Sequence, residues 1–182
     1  YGVGEVLILK GISATFEKSK KYLLVGKSGS GKSTILRLIG KTIDTSYSGK
    51  ILMNGIELKE IETDSLKKQM GIVFQEPYLF WTSFKENILL GRNVPDKEYE
   101  NLIKKLNLEY LLERFENESL NELMVSKLSS GEKQRISIAR AMIGKPKLYL
   151  LDEVTSALDE NNAFEIENML LAEDATVIHA CH

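Results

Sequence analysis

The stretch Gly26-Lys27-Ser28-Gly29-Ser30-Gly31-Lys32-Ser33-Thr34 fits the spacing G-x-x-x-x-G-K-[ST]. The chemistry this spacing permits is the holding of a polyphosphate. Such a tail packs several negative charges into a small volume, and a ring of backbone N–H groups is its natural counterpart. Glycines let the backbone curl closely enough to present them. An apolar-periodic helix, Lys32 to Ile39, follows at once, and its positive dipole end adds to the cradle. Lys32 can reach the β- and γ-phosphates, and the Ser33 hydroxyl can ligate Mg2+. The competing reading is a flexible Gly/Ser turn. The position of the loop, between the apolar run Tyr22 to Val25 and a helix, is the one a phosphate site requires.

A second chemical signal closes the apolar run Leu148-Tyr149-Leu150-Leu151, which ends in Asp152-Glu153. In an open α/β sheet the carboxyl ends of the strands face the ligand. Asp152 would hold Mg2+, directly or through water. Glu153 would face the γ-phosphate and polarise an attacking water. Alone, an acidic turn after a strand is common; downstream of a phosphate loop it becomes specific.

Periodicity supplies the elements that must position these groups. Val6 to Phe16 is β-like, with Ile12, Ala14 and Phe16 alternating. Tyr22 to Val25 reads as a buried strand. Ser48 to Met53 is another strand, followed by the hairpin signal Asn54-Gly55. Gly71 to Phe74 is a third buried strand. Ser83 to Leu123 turns helical and polar, with Pro95 at a helix start. A helix from about Ser130 to Ile143 is stopped by Gly144 and Pro146. Leu148 to Leu151 is a strand, Asn161 to Leu171 a helix, and Thr176 to Ile178 a final strand. This alternation predicts an α/β fold whose parallel sheet is crossed by helices, with a helical insertion in the middle.

The chain has 182 residues, enough for one domain or one domain with a small lobe. Hydrophobic residues at 43% and charged residues at 27% are ordinary globular values. The net charge of −2 argues against a protein that coats DNA or an anionic membrane, so no nucleic-acid partner is expected. A single cysteine, Cys181, excludes an intrachain disulfide. Val6 to Leu9 is too short for a signal-peptide core. No apolar run exceeds four residues, far below the roughly 18 needed to span a bilayer. Any membrane-spanning segments are therefore expected on another chain or outside this one.

Two further stretches narrow the class. Leu128-Ser129-Ser130-Gly131-Glu132, followed by Lys133-Gln134-Arg135, resembles the signature sequence of ABC ATPases. Ser156-Ala157-Leu158-Asp159 resembles their D-loop. The order phosphate loop, signature, acidic strand, D-loop is the family's, and it covers nearly the whole chain. The resemblance implies a phosphate-loop (RecA-like) parallel-sheet core with a small antiparallel β portion and an inserted helical subdomain. The core would be residues 1–76 and 144–182, and the helical subdomain 77–143. It also implies ATP with Mg2+, bound between two such domains. The partner's Ser129, Ser130, Gly131 and Glu132 would then meet the γ-phosphate. The residues carry a reading of their own as well. Ser129-x-x-Glu132 is a capping box before an amphipathic helix bearing Ile136, Ala139 and Ile143. The readings agree, because a capped helix N-terminus is a ready anion site. The departures are Ser130 for the usual glycine and Glu132 for the usual glutamine. Ser130 is tolerable if its backbone needs no positive φ.

Other positions follow from the resemblance one at a time. Gln75 matches the Q-loop glutamine, which senses Mg2+ and the lytic water; the plain alternative is a solvated loop side chain. His182 has the spacing of the switch histidine that contacts the γ-phosphate, while His179 is expected to be structural. Tyr1, 25 residues before Gly26, matches the aromatic that stacks on adenine, although a first residue is prone to fraying. The catalytic set expected is thus Glu153, His182, Gln75 and Lys32. The nucleotide would be held by Tyr1, Gly26 to Thr34, Gln75 and the partner's signature, and the metal by Ser33, Gln75 and Asp152.

After Gln75 come Glu76-Pro77-Tyr78-Leu79-Phe80-Trp81-Thr82-Ser83-Phe84-Lys85-Glu86-Asn87-Ile88. This resembles the exporter type. If exposed, Tyr78, Phe80 and Trp81 would make a patch suited to a partner surface. The resemblance assigns the region Gln75 to Asn87 to the coupling helices of transmembrane domains; the alternative packs these aromatics into the helical lobe. The segment Ser119 to Lys127 departs from exporters in lacking glycines. The chain stops at the switch histidine, where the family continues, so a trimmed domain is expected.

Three functions are weighed. The first is a transport ATPase domain at the cytoplasmic face of a membrane, paired with a second nucleotide-binding domain, identical or different. The second is a non-transport ABC ATPase in translation, DNA maintenance or cluster assembly. Only 52 residues separate Gln75 from Leu128, and no sustained heptads fill them, which disfavours a coiled-coil DNA-maintenance member. The third is a nucleotide binder without turnover, disfavoured by intact Glu153 and His182.

Overall fold

The structure is a computed structural model and describes residues 2–3, 6–43, 47–115, 126–155 and 158–181. The chain divides into two compact units. The first comprises Tyr1–Ile72, Lys147–Glu153 and Asp174–His182, and the second Val73–Pro146 and Val154–Glu173.

The first unit is built on a four-stranded sheet. Its strands are β3 (Lys21–Val25), β6 (Met70–Val73), β7 (Leu148–Asp152) and β8 (Thr176–Cys181), in the order β3-β8-β7-β6. β8 pairs in parallel with both neighbours, Val25 opposite Cys181 and Asp152 opposite Ala180. The phosphate-loop strand and the acidic strand therefore end at the same sheet edge with β8 between them. β7 is apolar almost throughout because it is a central parallel strand, buried on both faces. Helix α1 (Lys32–Ile39) packs on β7 and β8, with Leu36 meeting Leu58, Leu66, Met70, Leu150, Ile178 and Ala180 in the core. Two small antiparallel pairs complete the unit: β1 (Gly2–Val3) with β2 (Val6–Leu7), and β4 (Leu52–Met53) with β5 (Ile56–Glu57). The β4–β5 turn is Asn54-Gly55, both at positive φ (51° and 82°), as a two-residue hairpin demands. A 3-10 turn (Leu58–Glu60) and α2 (Thr63–Gln69) lead back to β6.

Three local expectations need correction. Of Val6 to Phe16 only Val6–Leu7 is strand. Gly11 turns the chain at φ 55°, and the alternation beyond it has no ladder partner among the described residues. Phe16 instead packs edge-on against Tyr22, ring centroids 5.0 Å apart. Of Ser48 to Met53 only Leu52–Met53 pairs, because Gly49 at φ 95° breaks the extended run. β3 is not a buried strand: it lies at the end of the sheet order among the described residues, and the face bearing Leu23 (65% exposed) and Val25 (72%) is open, while Leu24 turns to the core.

The second unit contains α3 (Phe84–Leu89), α4 (Asp96–Lys105), α5 (Glu109–Phe115), α6 (Ser130–Met142) and α7 (Glu160–Ala172). Their starts are set by local chemistry. Ser83 accepts the Glu86 N–H at 3.0 Å, Asp159 accepts the Asn162 N–H at 3.1 Å, and Pro95 precedes α4 with Asp96 and Glu98 in its first turn. Ile88, Ile103, Leu111, Ile136 and Ile138 are fully buried, and α3 packs against α6 and α5. Among the described residues no helix is long and apolar enough to cross a membrane.

Candidate functional site

The loop after β3 is shaped by its glycines. Gly31 caps α1 at φ 93°, ψ 9°, a backbone conformation that strains any side chain. A Cβ there would also lie 2.5 Å from Leu9 Cδ2. With no side chain to cap it, the first turn of α1 leaves its amides to a ligand. Lys32 opens that helix and is buried. Its ammonium folds back over the loop, donating to the Gly26 carbonyl at 2.7 Å and the Lys27 carbonyl at 3.4 Å. Lys27 to Ser30 is closed by a turn, the Ser30 N–H donating to Lys27 O at 3.1 Å.

Ser33, one residue into α1, donates its hydroxyl to Asp152 Oδ1 at 2.9 Å. Two motifs 119 residues apart thus meet in one hydrogen bond. Asp152 is 2% exposed, so its carboxylate is held at the loop by the end of β7, out of bulk solvent. A hydroxyl and a carboxylate, both hard oxygen donors beside a phosphate cradle, fit Mg2+. That ion usually takes one or two protein oxygens and completes its octahedron with phosphates and water.

Glu153 follows Asp152 in the left-handed region, φ 50°, with its N–H donating to Ala180 O at 3.0 Å. A non-glycine residue is uncommon there and persists where the surroundings dictate it. Here the tie to β8 does so, turning the chain sharply out of β7. His179 lies inside β8, in register between Leu23 and Leu151.

The signature residues form one compact device in the second unit. The Ser129 hydroxyl accepts the Glu132 N–H at 3.1 Å, and Glu132 Oε2 accepts the Ser129 N–H at 2.6 Å, completing the capping box. Ser130 and Gly131 open α6 behind it. Ser130 is helical and not at positive φ, so serine for glycine costs no backbone strain. The second Glu132 oxygen accepts the Tyr110 hydroxyl at 2.8 Å. Burial alone would raise the Glu132 pKa. The Ser129 amide, the Tyr110 and Ser129 hydroxyls and the Arg114 charge outweigh it and hold the carboxyl below its ordinary value. Tyr110 is raised, by burial first and then by its bond to Glu132. Nothing in the sequence spacing pairs residue 110 with residue 132.

Gln75 is exposed just beyond β6, in the second unit. Tyr78 and Trp81 are mostly on the surface, and Phe80 partly so, rather than packed into the lobe; Leu79 alone of the four is buried. Two residues whose roles were not read from the sequence hold this loop: Asn87, fully buried, and Arg140. Tyr1, His182, Ser156-Ala157 and residues 119–125 lie outside the described residues.

Comparison with known proteins bears on this arrangement. The family model described as ABC transporter matches residues 9–156. ATP-binding cassette sub-family B member 5 of Homo sapiens is 39% identical over 171 residues, which cover 91% of this chain and 14% of that protein. A putative multidrug export ATP-binding/permease protein of Staphylococcus aureus (strain NCTC 8325 / PS 47) is 40% identical over an alignment of 189 residues, 100% of this chain and 32% of that one. A solved bacterial Atm1-family ABC exporter with ATP bound superposes with a TM-score of 0.78 at 33% identity, covering 90% of this chain and 30% of its own. The chain thus spans a third or less of these relatives' length.

Proposed function

The chain belongs to the ABC transporter family, and on that premise we propose that it is the ATP-binding, ATP-hydrolysing cassette of an exporter. It would sit at the cytoplasmic face of a membrane and work as one half of a pair. The observation that carries this reading is the Ser33–Asp152 hydrogen bond of 2.9 Å, which joins the phosphate loop to the acidic strand end. The names of the relatives, an export ATP-binding/permease protein and an Atm1-family exporter, favour transport over a role in translation, DNA maintenance or cluster assembly.

Each residue has a task in this mechanism. The amides from Gly26 to Thr34 (Gly26, Lys27, Ser28, Gly29, Ser30, Gly31, Lys32, Ser33 and Thr34) wrap the phosphates. Lys32 turns from the Gly26 carbonyl to the β- and γ-phosphates. Ser33 and Asp152, helped by Gln75, would hold Mg2+, which would supply neutralisation of charge on the phosphate oxygens. Glu153 orients and polarises the attacking water, accepting its proton as the bond to the γ-phosphorus forms and the β–γ bridging oxygen leaves with ADP. His182 contacts the γ-phosphate and Tyr1 stacks on the adenine. Ser129, Ser130, Gly131 and Glu132 of a second cassette, identical or different, close over the γ-phosphate. Residues 1–76 and 144–182 act as the nucleotide core and 77–143 as the helical subdomain. The aromatic surface within Gln75 to Asn87 receives the cytoplasmic coupling helices of transmembrane domains.

ATP turnover of the chain and of its Glu153→Gln variant tests this. Mg2+-dependent phosphate release is expected, reduced about a hundredfold or more by the substitution, as for loss of a general base. Equal turnover in the two would reject the assignment.

A further inference from the structure

The exposed aromatic loop and the signature helix are joined by one side chain. Arg140 lies in the last turn of α6, ten residues beyond Ser130, or about 15 Å along the axis at 1.5 Å per residue. Its guanidinium donates from Nη1 to the Tyr78 carbonyl at 2.8 Å, from Nε to the Asn87 carbonyl at 2.7 Å and from Nη2 to Asn87 Oδ1 at 3.1 Å. It also lies over the Phe80 ring, 5.1 Å from the centroid. Asn87 extends the grip. Its Oδ1 accepts the Phe80 N–H at 2.8 Å, and its Nδ2 donates to the Phe80 carbonyl at 2.9 Å. Both ends of the segment from Tyr78 to Asn87 are therefore fastened to a single residue of α6. The carbonyl of Arg140 in turn accepts from Arg92 Nη1 at 3.2 Å.

The choice of residue is informative. The bonds that hold this largely buried cation run to neutral carbonyl oxygens and an aromatic face rather than to a carboxylate, so its desolvation is not offset by an ion pair. What guanidinium supplies is a rigid planar fork that fixes direction and register, which lysine cannot do.

We propose that Arg140 is a positioning residue that makes the aromatic loop Tyr78–Trp81 and helix α6 move as one piece, so that a partner seated on the loop displaces the Ser129 tip and nucleotide engaged at the tip is felt at Trp81. This rests on the function proposed above, in which the tip meets the nucleotide of a second cassette and the loop meets a membrane-spanning partner.

Trp81 is the only tryptophan of the chain and is 71% exposed, so its fluorescence reads the loop directly. The chain carrying Glu153→Gln, which retains ATP, is compared with the same chain carrying Arg140→Lys or Arg140→Met. Three quantities are read: affinity for a fluorescent ATP analogue, pairing by light scattering, and the Trp81 emission shift and acrylamide quenching on adding Mg2+ and ATP. With Arg140 intact, ATP should pair the chains and shift Trp81. In both variants analogue affinity should persist, showing a folded phosphate loop, while the Trp81 response is lost. Lysine should fail like methionine, because the fork and not the charge is required. An undiminished Trp81 response in either variant overturns the coupling. So does a Trp81 that stays silent when the Arg140-intact chain pairs. Analogue binding without any pairing would sink the two-cassette reading itself, and the coupling with it.

Discussion

Replacing Glu132 by glutamine should move two observables in opposite directions. The Glu132 carboxylate divides its oxygens between the Ser129 N–H at 2.6 Å and the Tyr110 hydroxyl at 2.8 Å, at the positive end of α6. Glutamine keeps one acceptor oxygen and loses the charge. The lost helix-dipole interaction is worth about 0.3–1 kcal/mol, and the lost hydrogen bond about 0.5–1.5 kcal/mol. The second unit should therefore be less stable by about 1–2 kcal/mol. At the same tip the proposed pairing brings up the partner's terminal phosphate. Two unit charges about 8 Å apart repel by about 0.5 kcal/mol in water and about 2 kcal/mol at an effective dielectric of 20. A symmetric pair has two such tips, so Glu132→Gln should tighten ATP-dependent pairing by about 1–4 kcal/mol, or about fivefold to a thousandfold. The gain should shrink as salt rises, because the screening length is about 8 Å at physiological ionic strength. Urea unfolding followed by circular dichroism reads the first effect. Analytical ultracentrifugation with ATP at two salt concentrations, in a Glu153→Gln background, reads the second. Weaker pairing, or a gain indifferent to salt, would show that no phosphate approaches this carboxylate. The pH dependence has a fixed sign. The folded pKa is depressed, so the carboxylate's contribution is complete above the unfolded value of about 4.3 and disappears as pH falls through the lower folded value. Glutamine should abolish that limb.

Other perturbations have defined outcomes. Gly31→Ala meets a positive φ of 93° and the Leu9 methyl at 2.5 Å, so a destabilisation of about 1–3 kcal/mol and weaker nucleotide binding are expected by thermal shift and titration. Wild-type stability and affinity would contradict the loop geometry. Tyr110→Phe strips one Glu132 oxygen of its donor and should cost about 0.5–1 kcal/mol in the same urea assay. By NMR titration the Glu132 carboxyl should move up toward its ordinary value. A carboxyl that stays put would show that the hydroxyl does not hold it. Ser33→Ala removes the hydroxyl bonded to Asp152 and should narrow the difference in ATP affinity between Mg2+ and EDTA. A preserved difference would remove Ser33 from the metal site.

What could be read from the sequence was local. The phosphate loop is legible because its glycines answer to backbone demands within a few residues, as at Gly31, and because the helix begins inside the motif. The capping box at Ser129 and Glu132 is legible for the same reason, and the structure builds it in full. Alternating strands and helices pointed to the parallel sheet, whereas the small antiparallel portion came from the resemblance and, at β4–β5, from the Asn54-Gly55 turn. What escaped was non-local or set by position in the sheet. Tyr110 meets Glu132 across 22 residues and Arg140 meets Asn87 across 53, and no periodicity links either pair. A four-residue apolar run such as Tyr22 to Val25 looks alike at an edge and at a centre, so the exposure of Leu23 and Val25 depended on which neighbours the topology supplied. Alternation from Ile12 to Phe16 promised a strand, but Gly11 had already turned the chain.

The central claim is that nucleotide is clasped between the phosphate loop of one chain and the Ser129 tip of another. Chains carrying Glu153→Gln and Cys181→Ser, spin-labelled singly at residue 127 or at residue 27, can be mixed and measured by pulsed electron paramagnetic resonance. With Mg2+ and ATP a short inter-chain distance between the two labels is predicted, absent without nucleotide. Chains that bind ATP yet remain single, or pair with residue 127 far from the neighbour's residue 27, would contradict it.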